Sequence, residues 1–285
     1  MKFLIIQENG RHDKNRHFRE CFSMQRALQF NQQECEVWGK GHDNFNQRPD
    51  FNQYDVIINL ENYDSGWVPD LADIKTYKIL WSIDSHCPWR NGMLRLQFYK
   101  ETFKKGKYNL MLQATKDFVD QDSIWFPNCY DETLISPKNI PKRADVGFCG
   151  NVANRAKYLT LLKANYNFIA DIFVIGDDMV NAINSYRIHF NANIFNDINY
   201  RSFETIGCNI PLVTNYNPQY LELGFKDEDN CMFYKNPFEL GTKIQYLLDN
   251  PERRQEISQK GYDLAKKHTY RKRGELLLEI LKGEK

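Results

Sequence analysis

Apolar residues come in short unbroken runs along this chain, and the stretches between them show helical spacing. Unbroken runs are what strands of a parallel sheet need when helices cover both of its faces. Lys2–Gln7 is the first predicted strand, followed by a polar loop containing Asn9-Gly10. A helix is predicted over His17–Phe30, where Phe18, Cys21, Phe22, Ala27 and Leu28 fall near one face. Strands are predicted at Cys35–Trp38, Asp55–Leu60 and Lys78–Ile83, a helix at Met93–Lys104, and strands at Leu110–Ala114 and Ile124–Phe126.

Ser136–Arg143 interrupts the rhythm with two prolines and three basic residues, and it reads as an interdomain linker. The alternation then restarts. Strands are predicted at Ala144–Gly150, Asp171–Gly176, Ile188–Ala192, Pro211–Thr214 and Cys231–Tyr234. Helices are predicted at Arg155–Ala164, Met179–Ser185, Arg201–Gly207, Pro237–Leu248, Pro251–Lys267 and Tyr270–Leu281. The expected fold class is α/β, with two βα domains in tandem. The expected divisions are 1–140, 141–267 and a final helix at 268–285. Ligands of such sheets bind outside the carboxyl ends of the strands, so a cleft between the domains is the expected site.

Charge adds little to this picture. The 38 Lys and Arg nearly balance the 37 Asp and Glu, so there is no global field for nucleic acid. The local basic stretches Lys100–Lys107 and Lys138–Arg143, with Tyr99, Phe103 and Tyr108 nearby, fit either a phosphate backbone or a solvated helix end and a linker. The seven cysteines are scattered and form no Cys-x-x-Cys pair, which fits free thiols in a reducing compartment and no structural metal. No segment has the length of a signal-peptide core or a membrane span, so a cytoplasmic location is expected.

Four clusters carry candidate chemistry. In Gly147–Arg155 a strand runs through Gly150 and Asn151 into a helix headed by Asn154 and Arg155. That arrangement suits an anion at a helix N-terminus, or a plain βα turn capped by Asn154. In Phe195–Thr214, Asn196, Asp197 and Asn199 precede a short helix that opens with Arg201, Ser202 and Glu204. Glu204 there is either a partner of the helix dipole or an acceptor for the two hydroxyls of a ribose. Asp84 and His86 stand two apart at the end of the fourth strand, an acid–base pair or a solvated turn. Asn9 and Gly10 allow a ligand close to the backbone, or a simple turn.

Taken in order, three stretches resemble the group-1 glycosyltransferase domains of the CgeB-like, spore-maturation-type family, which is related to glycosyltransferase family 4. They are VGFCGNVANR, then NYRSFETIGCNIPLVT, then a tail with Asn250-Pro251-Glu252-Arg253 and His268-Thr269-Tyr270-x-x-Arg273. The resemblance spans roughly residues 144–275, and the N-terminal half shares only the βα layout and Trp81-x-x-Asp84. It implies a GT-B fold, two Rossmann-like domains with parallel sheets facing a cleft, and a final helix that returns to the first domain. It also implies a nucleotide-diphosphate sugar donor, most simply a UDP-sugar, with no metal and no other cofactor. Gly150, Asn151 and Arg155 would then lie near the diphosphate, Arg201 and Ser202 would line the same pocket, and Glu204 would hold the ribose. Asn199 shares that loop. Asn196 stands where the related family has its first glutamate, and an amide there cannot carry the negative charge.

The activity so implied is glycosyl transfer, with retention of configuration, to an acceptor hydroxyl that Asp84 and His86 orient or deprotonate. The acceptor is open: glycan, protein, small molecule or a hydroxylated base in DNA. The rival from another class is a non-catalytic cytoplasmic protein that only binds nucleotide sugar. No Gly-x-Gly-x-x-Gly follows either first strand, which argues against a dehydrogenase.

Overall fold

The computed structural model describes residues 1–62 and 65–283. The chain forms two units, Met1–Pro127 with Tyr270–Lys285, and Asn128–Thr269. The first unit contains β1 (Lys2–Ile6), α1 (Glu20–Phe30), β2 (Glu34–Trp38), β3 (Val56–Leu60), β4 (Tyr77–Ser82), α2 (Arg95–Lys105), β5 (Leu110–Gln113) and β6 (Ser123–Trp125). Its strands pair in the order β2-β1-β3-β4-β5-β6, every pair parallel. All five residues of β3 are buried, because this strand lies inside the sheet. β2 lies at the sheet edge and alternates instead, with Glu34 and Glu36 exposed and Cys35 and Trp38 buried. Leu4, Ile6, Ile57, Leu80 and Met111 from four strands pack with Tyr99 of α2 and Tyr108 in one core.

The second unit runs β7 (Ala144–Gly150), α3 (Ala156–Asn165), β8 (Phe168–Ile172), α4 (Gly176–Asn184), β9 (Tyr186–Phe190), α5 (Tyr200–Gly207), β10 (Leu212–Asn215), α6 (Gln219–Glu222), β11 (Met232–Tyr234), α7 (Pro237–Asp249) and α8 (Pro251–Ala265). Its parallel sheet has the order β11-β10-β9-β7-β8. Val146, Phe148, Ile188, Phe190, Val213 and Met232 pack beneath Leu162 of α3 and Leu240, Ile244 and Leu247 of α7. The start of α7 shows why it begins there. The Asn236 side chain accepts from the Glu239 N–H at 2.9 Å, the Glu239 carboxylate accepts from the Lys235 N–H at 2.8 Å, and Pro237 has no N–H to satisfy.

Helix α9 (Tyr270–Leu281) returns to the first unit and packs on α1. Gly274 permits the approach, since a Cβ there would stand 3.2 Å from the Ala27 Cβ. Arg273 donates to the Pro127 carbonyl at 2.8 Å. Among the described residues no helix is long and apolar enough to cross a membrane. The seven cysteines are free thiols, and all but Cys87 are buried.

Some expected boundaries shift. The second strand of the second unit is expected at 171–176, but β8 spans Phe168–Ile172. Phe173 adopts φ +56° and ends the extended backbone, and its side chain is 72% exposed. The residues read as a linker, Ser136–Arg143, lie within the second unit, and the division falls at Pro127 instead. The basic groups of that stretch serve the unit itself: Lys138 donates to Asn181, Lys142 to the Asn184 carbonyl, and Arg143 pairs with Asp171. In the other basic stretch Lys100 pairs with Asp120, and Lys107 lies 3.8 Å from Asp73.

Gly147 in β7 is required by its neighbour. A Cβ there would lie 2.1 Å from the Tyr186 ring of β9, which is itself fully buried. Overpacking of this kind costs about 1–3 kcal/mol. Gly147→Ala is therefore expected to lower the unfolding free energy by that amount, read as a lower urea midpoint, and an unchanged midpoint would mean that the Tyr186 ring can move aside.

Candidate functional site

In the second sheet β7 lies between β8 and β9, so strand order reverses there. At such a switch point adjacent loops leave in opposite directions and open a crevice outside the carboxyl ends of the strands. The loop after β7 turns through Asn154, which holds φ +58°. The Asn151 side chain accepts from the Ala153 N–H at 3.0 Å and closes the turn. Arg155 braces this loop against the one after β9. Its Nε donates to the Ala192 carbonyl at 2.7 Å, and one terminal nitrogen donates to the Asn151 carbonyl at 2.9 Å. Burial lowers its pKa from the ordinary arginine value. A braced, desolvated guanidinium attracts phosphate oxygens more strongly than a solvated one.

The start of α5 closes the other side of the same crevice. Arg201 Nε donates to the Cys149 carbonyl at 2.9 Å, one residue before Gly150. Its terminal nitrogen pairs with the Glu204 carboxylate, and only 19% and 13% of the two side chains are exposed. Beneath them lies a histidine that sequence reasoning missed. His189 is fully buried, its Nε2 accepts from the Cys149 N–H at 3.2 Å, and its Nδ1 faces the Thr205 hydroxyl. An Nε2 that accepts carries no proton, so the ring is the neutral Nδ1–H tautomer. Burial, then the charge of Arg201, pushes its pKa down to about 3.

The structure separates the remaining candidates of this unit. Ser202 is fully buried, bonded to the Tyr220 hydroxyl at 2.7 Å and to the Asn191 amide at 3.1 Å. Asn199 joins the same network through the Asn191 amide at 3.1 Å and takes the Asn193 side-chain oxygen on its N–H at 3.1 Å. Both therefore support the loop from below. Asn196 lies exposed on the loop between β9 and α5. Gly150, Asn151, Arg155, Arg201 and Glu204 are gathered at one end of the sheet.

In the first unit the loop after β1 is held from behind. The Asn9 N–H donates to the Lys40 carbonyl at 2.8 Å, and Gly41 packs so closely that a Cβ would stand 1.9 Å from the Asn9 carbonyl oxygen. Gly10 turns the chain at φ +78°. The Asn9 side-chain oxygen is buried without a hydrogen-bond partner.

Asp84 and His86 stand on the loop after β4, and a second carboxyl group sits beside them. Glu61 follows β3 in the left-handed conformation, φ +49°. Its Oε1 accepts from the Ile83 N–H at 2.5 Å and the Asp84 N–H at 2.8 Å. Glu61 keeps some surface in solvent, but its carboxyl group is enclosed. Burial, then the neighbouring Asp84 charge, raises its pKa to about 8. Arg95 of α2 lies 3.2 Å from the Asp84 carboxylate. The visible signal for Glu61 is a charged residue directly after a strand that is apolar but for Asn59.

Residues 147–279 match the family model described as Glycosyl transferase-like. Three solved structures show the fold of the whole chain. Sucrose-phosphate synthase from Thermosynechococcus elongatus shares 10% identity at a TM-score of 0.68, over 99% of this chain and 98% of its own. Anabaena HepE in complex with UDP-glucose shares 11% at 0.68, over 99% and 100%. T4 phage BGT in complex with UDP and Mn2+ shares 14% at 0.69, over 99% of each chain. The fold is of GT-B type. No curated protein matches the chain in sequence.

Proposed function

We propose that the protein transfers a sugar from a nucleoside diphosphate sugar, with UDP-glucose the first donor to test, to an acceptor hydroxyl. The observation that carries this reading is the enclosed Arg201–Glu204 pair, set beside Gly150 and Arg155 at the switch point of the second sheet. Glu204 accepts from the ribose hydroxyls. As the bond from the sugar to the phosphate oxygen breaks, negative charge grows on the diphosphate. Arg155, Arg201 and the N–H groups at the start of α5 meet it, so the donor side needs no metal. Two of the similar structures hold UDP or UDP-glucose, which supports the choice of base. Asp84 and His86 receive the acceptor and its proton. The CgeB-like resemblance supports retention of configuration.

UDP and UDP-glucose added to the purified protein at about 100 times the dissociation constant should stabilise it by about 2.7 kcal/mol, visible as a rise in melting temperature. Glu204→Ala should lose most of that rise. No rise with either ligand would remove the donor reading. Donor binding without release of UDP in the presence of hydroxyl acceptors would leave a protein that binds nucleotide sugar and transfers nothing.

A further inference from the structure

Three side chains of different donor chemistry meet on the loop after β4. A carboxylate oxygen of Asp84, a ring nitrogen of His86 and the sulfur of Cys87 all lie within 4.8 Å of one another. The loop is held in place from several sides. Glu61 Oε1 takes the N–H groups of residues 83 and 84, and the Cys87 N–H closes a turn on the Asp84 carbonyl at 2.9 Å. The N–H groups of Arg95 and Leu96 donate to the carbonyls of Cys87 and Ser85 at 2.9 and 3.0 Å. A loop pinned along its backbone presents its side chains with little further ordering to do, which is what a binding site requires.

We propose that Asp84, His86 and Cys87 form a site for a transition-metal dication of the Zn2+ class. The donor set selects the ion: thiolate and imidazole suit Zn2+ and Co2+, whereas Mn2+ and Mg2+ prefer all-oxygen surroundings. Three protein ligands with a fourth position open is the pattern of a catalytic rather than a structural zinc site. Bonds of about 2.0–2.3 Å place tetrahedral donors roughly 3.3–3.8 Å apart, so side-chain rotation must close the present spacing by about 1 Å. Asp84 exchanges its contact with Arg95 for the metal, and the enclosed Glu61 carboxyl group beside Arg95 holds the ligand loop behind it.

The role of the site rests on the acceptor reading above. With the ion bound, Asp84 and His86 would act on the acceptor through it: the metal would take the hydroxyl at its open position and lower its pKa, and the proton would pass to solvent instead of to these two side chains. The site differs in ligand chemistry from the arginines assigned to the donor diphosphate, and it belongs to the first unit where they belong to the second.

Metal-free protein titrated with Co2+ should take up one ion per chain and develop a thiolate-to-cobalt charge-transfer absorption, which Zn2+ then displaces and Mn2+ does not. Cys87→Ser should abolish that absorption and weaken Zn2+ binding at least about 100-fold. In the unmutated chain, Zn2+ should protect Cys87 from alkylation, read by mass spectrometry without any variant. No thiolate absorption, absorption that survives in Cys87→Ser, or alkylation of Cys87 unaffected by Zn2+ would each overturn the site. UDP in the same samples separates the two ideas. A UDP shift without the cobalt signal removes the metal site alone, and a cobalt signal without a UDP shift removes the donor reading alone.

Discussion

Arg201→Ala is expected to cost about 3–5 kcal/mol of stability, the range for removing one partner of a buried ion pair. The guanidinium does two jobs that alanine cannot share. It neutralises Glu204, and it satisfies the Cys149 carbonyl at the end of β7. With it gone, a carboxylate that is 13% exposed has lost its counter-charge. The expected signs are a lower urea midpoint and loss of the UDP-induced shift. Arg201→Lys keeps the charge without the fork that reaches both partners, and it should recover only part of the stability. An Arg201→Ala chain as stable as the parent would mean that water already screens the pair, and the donor pocket would lose its central support.

His189 should make the protein sensitive to acid. Its folded pKa of about 3 lies well below the ordinary 6.5. Below pH 6.5 the unfolded chain takes up a proton that the folded chain refuses until about pH 3. Stability from this group is therefore complete above pH 6.5 and is lost as pH falls through that window. At 1.36 kcal/mol per unit the whole effect is about 5 kcal/mol. His189→Gln removes the titration. The difference in unfolding free energy between parent and variant, measured from pH 7 to pH 4, should shrink steadily as pH falls. Parallel curves would show that His189 protonates inside the fold without penalty. The ring touches both Cys149 and Thr205, so its protonation would also disturb the backbone that Arg201 holds.

The strands were legible because burial writes itself into composition. Val56–Leu60 is apolar throughout except Asn59, and Asn59 is satisfied in the core by the Tyr108 hydroxyl. What remained hidden is what depends on a partner distant in sequence. The end of β8 follows from one left-handed residue, Phe173, which no periodicity marks. Helix α6 is a single turn set by the Asn217 side chain accepting from the Gln219 N–H, too short to show a pattern. In the candidate site, charged residues at strand ends and helix starts were visible: Arg155, Arg201, Glu204 and Asp84. Their supports were not. Glu61 acts through backbone groups twenty-two and twenty-three residues away, and His189 lies in a strand where it reads as an ordinary core position. Ser202 shows the opposite error in kind. It shares a helix start with Arg201, yet one step along the helix turns it from the crevice into the interior.

The return of α9 to the first unit makes the second unit an insertion, and this has a consequence for synthesis. A ribosome releases the first six strands long before the helix that covers α1 exists. Until residues 270–281 emerge, the faces of Ala27 on α1 and of Trp81 near Tyr270 lack their cover. The nascent N-terminal sheet therefore lacks that helix while the whole second unit is made. Of the two units, the one begun first is the one completed last.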